Sequence, residues 1–215
     1  MNAVPASFQG IKPIIGLAGG IGAGKSMVAR ILRDLGAGLV DSDEIGRALM
    51  SEAVVVETLR GWWGDTILDA EGRVDRRRLG DMVFGDAARR ARLESLLHPR
   101  IAQERAGLVE QFQADPAVRA IVFDSPLLFE TGLNRECDVV WFVEADPEVR
   151  ARRVANARGW TPEELERREK LQKSLDFKRT QADDILVNHS DADELRLQVV
   201  RLFNRLLGRT PPVKP

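Results

Sequence analysis

Residues Gly19-Gly20-Ile21-Gly22-Ala23-Gly24-Lys25-Ser26 constrain this chain more than any other segment. They fit the pattern G-x-x-x-x-G-K-[ST] in full, and they sit between a short apolar run, Ile14–Ala18, and a stretch of helical spacing, Met27–Leu35, that stops at Gly36. A strand, a glycine turn and a helix in that order let backbone N–H groups converge on an anion, because glycine has no Cβ to collide with it. The N-terminus of the following helix adds positive potential. In such a loop the amides of Gly20, Gly22, Ala23, Gly24, Lys25, Ser26 and Met27 surround the phosphates of a nucleoside triphosphate. Lys25 brings a mobile charge to the β- and γ-phosphates, and Ser26 offers a hydroxyl to Mg²⁺. The competing reading is a glycine-rich surface turn beside an ordinary helical lysine, which the flanking strand and helix disfavour.

The rest of the chain alternates apolar runs with helical segments. Gly38–Val40, ending at Asp41, Arg119–Phe123, ending at Asp124, Asp138–Val143 and Asp184–Val187 read as further buried strands. Ile45–Met50, Asp75–Phe84, Ala87–Gln113, Pro147–Ala157, Pro162–Lys173 and Asp193–Leu207 read as helices. Continuous apolar strands separated by helices predict an α/β fold, a parallel sheet covered on both faces. No buried strand is expected between Ser51 and Pro116, so that block reads as a helical insertion. The expected organisation is one domain built on the phosphate loop. Its nucleotide core covers about 12–50, 117–145 and 183–208, its insertion about 51–116, and its lid about 146–182. The first dozen residues and Thr210–Pro215 are expected to be loose tails.

Of the 215 residues, 44% are apolar and 30% charged, and the net charge is −1. Nothing in that balance points to a nucleic-acid or membrane partner, and no obligatory protein partner is inferred. The one cysteine, Cys137, rules out a disulfide within the chain, which fits a reducing cytoplasm; a small buried hydrophobe is the expected role.

P-loops serve kinases, switches and motors alike. A guanine-specific switch would need an N/T-K-x-D element, and the chain has none. Two carboxylates favour a kinase. Asp43, just past the second strand, is placed either to orient an acceptor hydroxyl or to cap the helix that follows. Asp124, ending an apolar strand, is a candidate second ligand for Mg²⁺. The charged helices 147–173 supply arginines suited to a lid over the transferring phosphoryl, or to a solvated face paired at i,i+4 with Glu148, Glu163, Glu164 and Glu166.

Several segments together resemble the dephospho-CoA kinase family. They are Gly16–Ser26, Leu35-Gly36 leading into Val40–Arg47, Leu96-Leu97-His98-Pro99-Arg100-Ile101, Asp124–Glu130, Arg168 with Gln172, and Ala182-Asp183. The ordered set spans about Ile14 to Leu195. The resemblance implies a nucleotide core, a helical acceptor-binding insertion and a lid. It also implies transfer of the ATP γ-phosphoryl to the ribose 3′-hydroxyl of dephospho-coenzyme A. By this resemblance Asp43 becomes the proton acceptor or hydroxyl-orienting group, and Arg47, His98, Leu127 and Phe129 lie near the acceptor. Arg153 and Arg158 become the lid arginines, Arg153 the catalytic one, and Asn188 falls near the nucleotide. The family commonly spaces its lid arginines four apart, whereas Arg153 and Arg158 stand five apart; Asn188-His189-Ser190 replaces its Asn-x-Gly. Other metabolite kinases and a nucleotide-gated binding protein are the alternatives.

Overall fold

The computed structural model describes residues 12–189 and 191–209; the two expected tails lie outside them, apart from Lys12 at the edge of the first. The described residues form two compact units, one drawn from Met1–Asp41 with Val109–Pro215, the other Ser42–Leu108.

The first unit is built on five parallel strands: β1 (Ile14–Gly19), β2 (Ala37–Asp41), β3 (Ala120–Asp124), β4 (Val139–Glu144) and β5 (Asp184–Val187), in the order β2-β3-β1-β4-β5. The inner strands β1, β3 and β4 are short and almost wholly apolar because both faces are covered, while the edge strand β5 leaves Ile185 exposed. On one side α1 (Lys25–Asp34) and α9 (Ala192–Arg209) pack together. Their Val28, Leu32, Leu195, Val199 and Phe203 join Ile15, Leu17, Val122 and Trp141 in one cluster. Burying each such side chain contributes about 1.5–3 kcal/mol. Gly16 points the other way, toward Leu128 and the Cys137 sulfur, which an added Cβ would approach to 2.7 Å. Cys137 is only partly buried, and its Sγ reaches the Leu133 carbonyl at 3.5 Å.

This unit also contains a 3₁₀ turn (Leu133–Glu136) and the helices α6 (Pro147–Arg158), α7 (Pro162–Glu169) and α8 (Leu175–Thr180). The single helix expected over Pro162–Lys173 is therefore corrected to one ending at Glu169, with a separate α8 after it. Lys173 donates its N–H to Glu130 Oε1 at 2.8 Å, and Ser174 caps α8 by accepting the Phe177 N–H at 3.2 Å. Buried Lys178 then pairs with the same Glu130 oxygen at 3.0 Å. These tertiary bonds turn the chain where the pattern of charges alone would have continued it.

The strands' entry ends are closed by acids. Asp138 accepts the Ile14 N–H, and Asp183 the Val140 N–H, each at 2.8 Å. Burial pushes the Asp138 carboxyl above its ordinary range, against the opposing pull of the Ile14 bond. The folded state therefore holds this proton more tightly than the unfolded one. Stability is lost as pH rises from the usual carboxylate pKa through the raised folded value. Asp138→Asn keeps an acceptor for Ile14 and removes that loss. Its melting temperature at neutral pH is expected to match or exceed the parent's, and a clear drop would mean the charged hydrogen bond outweighs the burial cost.

The second unit is helical, apart from one antiparallel bridge between Leu68 and Val74. It contains α2 (Ser42–Leu49), α3 (Ala53–Trp63), a 3₁₀ turn (Asp65–Ile67), α4 (Arg76–Phe84) and most of α5 (Ala87–Ala114). Val55, Leu59, Ile67, Leu68 and Leu79 are buried here. Asp75 caps α4 by accepting the Arg77 and Arg78 N–H groups. The α3 helix was not assigned from the sequence: Val54-Val55-Val56 is poor helical material, and its N-cap, Glu52, makes no side-chain cap bond. Trp62 and Trp63 meet edge to face at 5.5 Å, and the Arg92 guanidinium lies 4.2 Å from the Trp62 ring.

Candidate active site

In a sheet ordered β2-β3-β1-β4-β5, chain leaving β1 goes toward β2 and chain leaving β3 goes toward β4. The crevice lies where those directions diverge, at the carboxyl ends of β1 and β3. The glycine loop leaves β1 there. Asp124 ends β3, 7% exposed, in register with Leu17 of β1 and Asp41 of β2.

The loop has the conformation its glycines predict. Gly22 and Gly24 have φ of 78° and 100°, and Gly24 is the N-cap of α1. No side chain fits at Gly24, where a Cβ would collide with the Asn188 amide. The Ala23 N–H closes a turn on the Gly20 carbonyl at 3.2 Å. Lys25 opens α1 and donates from Nζ to the Gly19 and Gly20 carbonyls at 3.0 and 3.2 Å, so its charge lies along the loop. Ser26 is exposed in the first turn of α1, and Met27 is half-buried beside it.

Arg153 and Asn188 both reach this loop at Ala23. Arg153, on α6, donates to the Ala23 carbonyl at 3.4 Å and to Asn188 at 3.2 Å (backbone O) and 3.1 Å (Oδ1). Asn188, 3% exposed beyond β5, donates from Nδ2 to the Ala23 carbonyl at 2.7 Å. Arg158 does not join them; it is exposed and lies 4.8 Å from the Trp160 ring, with Arg168 at 4.1 Å from the same ring. The solvated reading fits Arg167 and Arg168, which pair with Glu164, drawing that carboxyl below its usual range. It does not fit Arg150. This side chain is 6% exposed and pairs with Glu169 of α7, a residue the sequence had not singled out. Glu169 also accepts the Ile21 N–H at 3.3 Å.

In the loop after β3, Leu128 and Phe129 are buried and Leu127 half-buried; Phe129 meets Phe177 of α8 edge to face at 5.7 Å. In the other unit, Asp43 and Arg47 are exposed on α2, Asp43 in its first turn. His98 is exposed in the middle of α5, and Pro99 is carried inside that helix rather than at a turn.

The chemistry available to Mg²⁺ is that of a shared site. Among the described residues no three His, Cys, Asp or Glu side chains form a metal cage. A hydroxyl at Ser26 and a buried carboxylate at Asp124 suit a cation held chiefly by substrate phosphates, as Mg²⁺ commonly is.

A family model described as dephospho-CoA kinase matches residues 13–194. A dephospho-CoA kinase of Symbiobacterium thermophilum is 40% identical over 196 residues, covering 91% of this chain and 82% of the relative. The crystal structure of TT1252 from Thermus thermophilus superimposes with a TM-score of 0.76 at 31% identity, covering 91% of this chain and 98% of that one. Dephospho-CoA kinase from Campylobacter jejuni shares the fold, with a TM-score of 0.61 at 20% identity over 91% of this chain and 97% of its own. The motif set, the parallel sheet with its glycine loop and these relatives agree: the chain belongs to the dephospho-CoA kinase family.

Proposed function

We propose a division of labour for the reaction of this family, in which the γ-phosphoryl of ATP passes to the ribose 3′-hydroxyl of dephospho-coenzyme A. The products are coenzyme A and ADP. The bond from the γ-phosphorus to the β,γ-bridging oxygen breaks, the bond to the 3′-oxygen forms, and the 3′-hydroxyl proton leaves. What carries this reading is the glycine loop between β1 and α1, with Lys25 lying along it.

The amides of Gly20, Gly22, Ala23, Gly24, Lys25, Ser26 and Met27 and the Lys25 ammonium hold the β- and γ-phosphates and take up charge as the bridging bond breaks. Ser26 and Asp124 would hold Mg²⁺, which neutralises phosphate charge when bound. Asp43 accepts or orients the 3′-hydroxyl proton. Arg47 and His98 contact the acceptor, and Leu127 and Phe129 form apolar wall beside it. Arg153 draws charge from the lid side, and Asn188 holds it on the loop. Closure of the lid keeps water from competing with the 3′-hydroxyl.

The test is ADP release from ATP and Mg²⁺ over a panel of hydroxyl acceptors. Release is expected with dephospho-coenzyme A and not with nucleosides or shikimate. ADP release with a nucleoside, or none with any acceptor, would contradict the substrate assignment.

A further inference from the structure

We propose that Arg150 and Glu169 are positioning residues for ATP, a brace on the outer face of the phosphate loop that sets its amides before the nucleotide arrives. The proposal rests on the function above. A single nitrogen of Arg150, Nη1, donates to the Ile21 carbonyl at 3.3 Å and to the Glu169 carboxylate. The same carboxylate oxygen accepts the Ile21 N–H at 3.3 Å. One ion pair therefore holds both peptide groups of Ile21. A salt bridge serving only to join α6 to α7 would need neither bond to the loop.

Peptide geometry gives these bonds their consequence. In a trans peptide the carbonyl and the next N–H point in opposite directions, and no cis peptide occurs among the described residues. Fixing the Ile21 carbonyl toward Arg150 turns the Gly22 N–H to the opposite side. The Ala23 carbonyl is held outward in the same way, by Asn188 Nδ2 at 2.7 Å and by Arg153, which turns the Gly24 N–H. Ile21 lies between two glycines, where peptide planes rotate most freely, so the loop needs such a hold. The brace lies flush on the backbone: a Cβ at Gly20 would come within 2.6 Å of Arg150 Nη1 and 3.2 Å of Glu169 Oε1. The sequence gives no sign of it, since Arg150 and Ile21 are 129 residues apart.

Removing one member strands a buried charge, so the first test removes both, as Arg150→Met with Glu169→Leu. The KM for ATP is expected to rise about tenfold, as for lost charge-assisted hydrogen bonds. The KM for dephospho-coenzyme A and kcat are expected to change less than about twofold. Arg150→Lys should return the KM for ATP to within about threefold of the parent, because one nitrogen makes both bonds. Should the double variant fail to fold, the isosteric Glu169→Gln carries the same expectation at about threefold. An unchanged KM for ATP with a lowered melting temperature would overturn the proposal, leaving a simple α6–α7 tie. A fall in that KM would also overturn it, making Glu169 a competitor of phosphate. Absence of acceptor-dependent ADP in the parent would count against the function and not against the brace.

Discussion

Lys25→Ala is expected to lower turnover at least about a hundredfold, the scale seen when one preorganised charge-stabilising donor is removed from a transition state. The alanine leaves α1 intact, since it is a better helix former than lysine. What disappears is the ammonium that donates to the Gly19 and Gly20 carbonyls, at the edge where the triphosphate would lie. ATP affinity should fall as well, by about tenfold, because the same ammonium meets ground-state phosphates. Steady-state kinetics with an unchanged melting temperature would separate the chemical loss from misfolding. Turnover within a few-fold of the parent would remove Lys25 from the mechanism.

Asp43→Asn should be nearly as costly, with a different signature. If Asp43 handles the 3′-hydroxyl proton, kcat falls by about a hundredfold or more, while ATP binding, read by calorimetry, stays close to the parent. The sequence left a second role open, capping the helix that follows; α2 starts at Ser42, so Asp43 lies inside its first turn, where only its charge can favour the helix. A first-turn carboxylate favours its helix by at most about 1 kcal/mol, so under that role the substitution would lower stability slightly and barely alter the rate. The amide thus distinguishes the two roles in one variant. Near-normal kcat would assign Asp43 to the helix and not to the reaction.

What the sequence made legible follows from how local each signal is. The phosphate loop is contiguous, and its glycines announce positive φ at Gly22 and Gly24. The strands are continuous apolar runs because a parallel sheet buries both faces of its inner strands, and the acids that end β2 and β3 mark the carboxyl edge. Signals that depend on distant partners were not legible. Arg150 reads as one more charged residue on α6 until Glu169 and Ile21 are seen beside it. The contact between Asn188 and Ala23 joins residues 165 apart, so only its general nearness to the nucleotide was expected. The break between α7 and α8 is made by Glu130, which takes the Lys173 N–H and pairs with Lys178. The α3 helix escaped because Val55 and Leu59 are drawn into a core that local propensity does not reveal.

The central proposal is that the loop delivers the γ-phosphoryl to the 3′-hydroxyl and not to water. The most direct measurement is the ratio of coenzyme A formed to ADP released, followed by ³¹P NMR with ATP, Mg²⁺ and dephospho-coenzyme A. One 3′-phosphomonoester per ADP is the expected result, with no inorganic phosphate beyond background. ADP accompanied by free phosphate, or a phosphoryl group found at any other hydroxyl, would contradict the account.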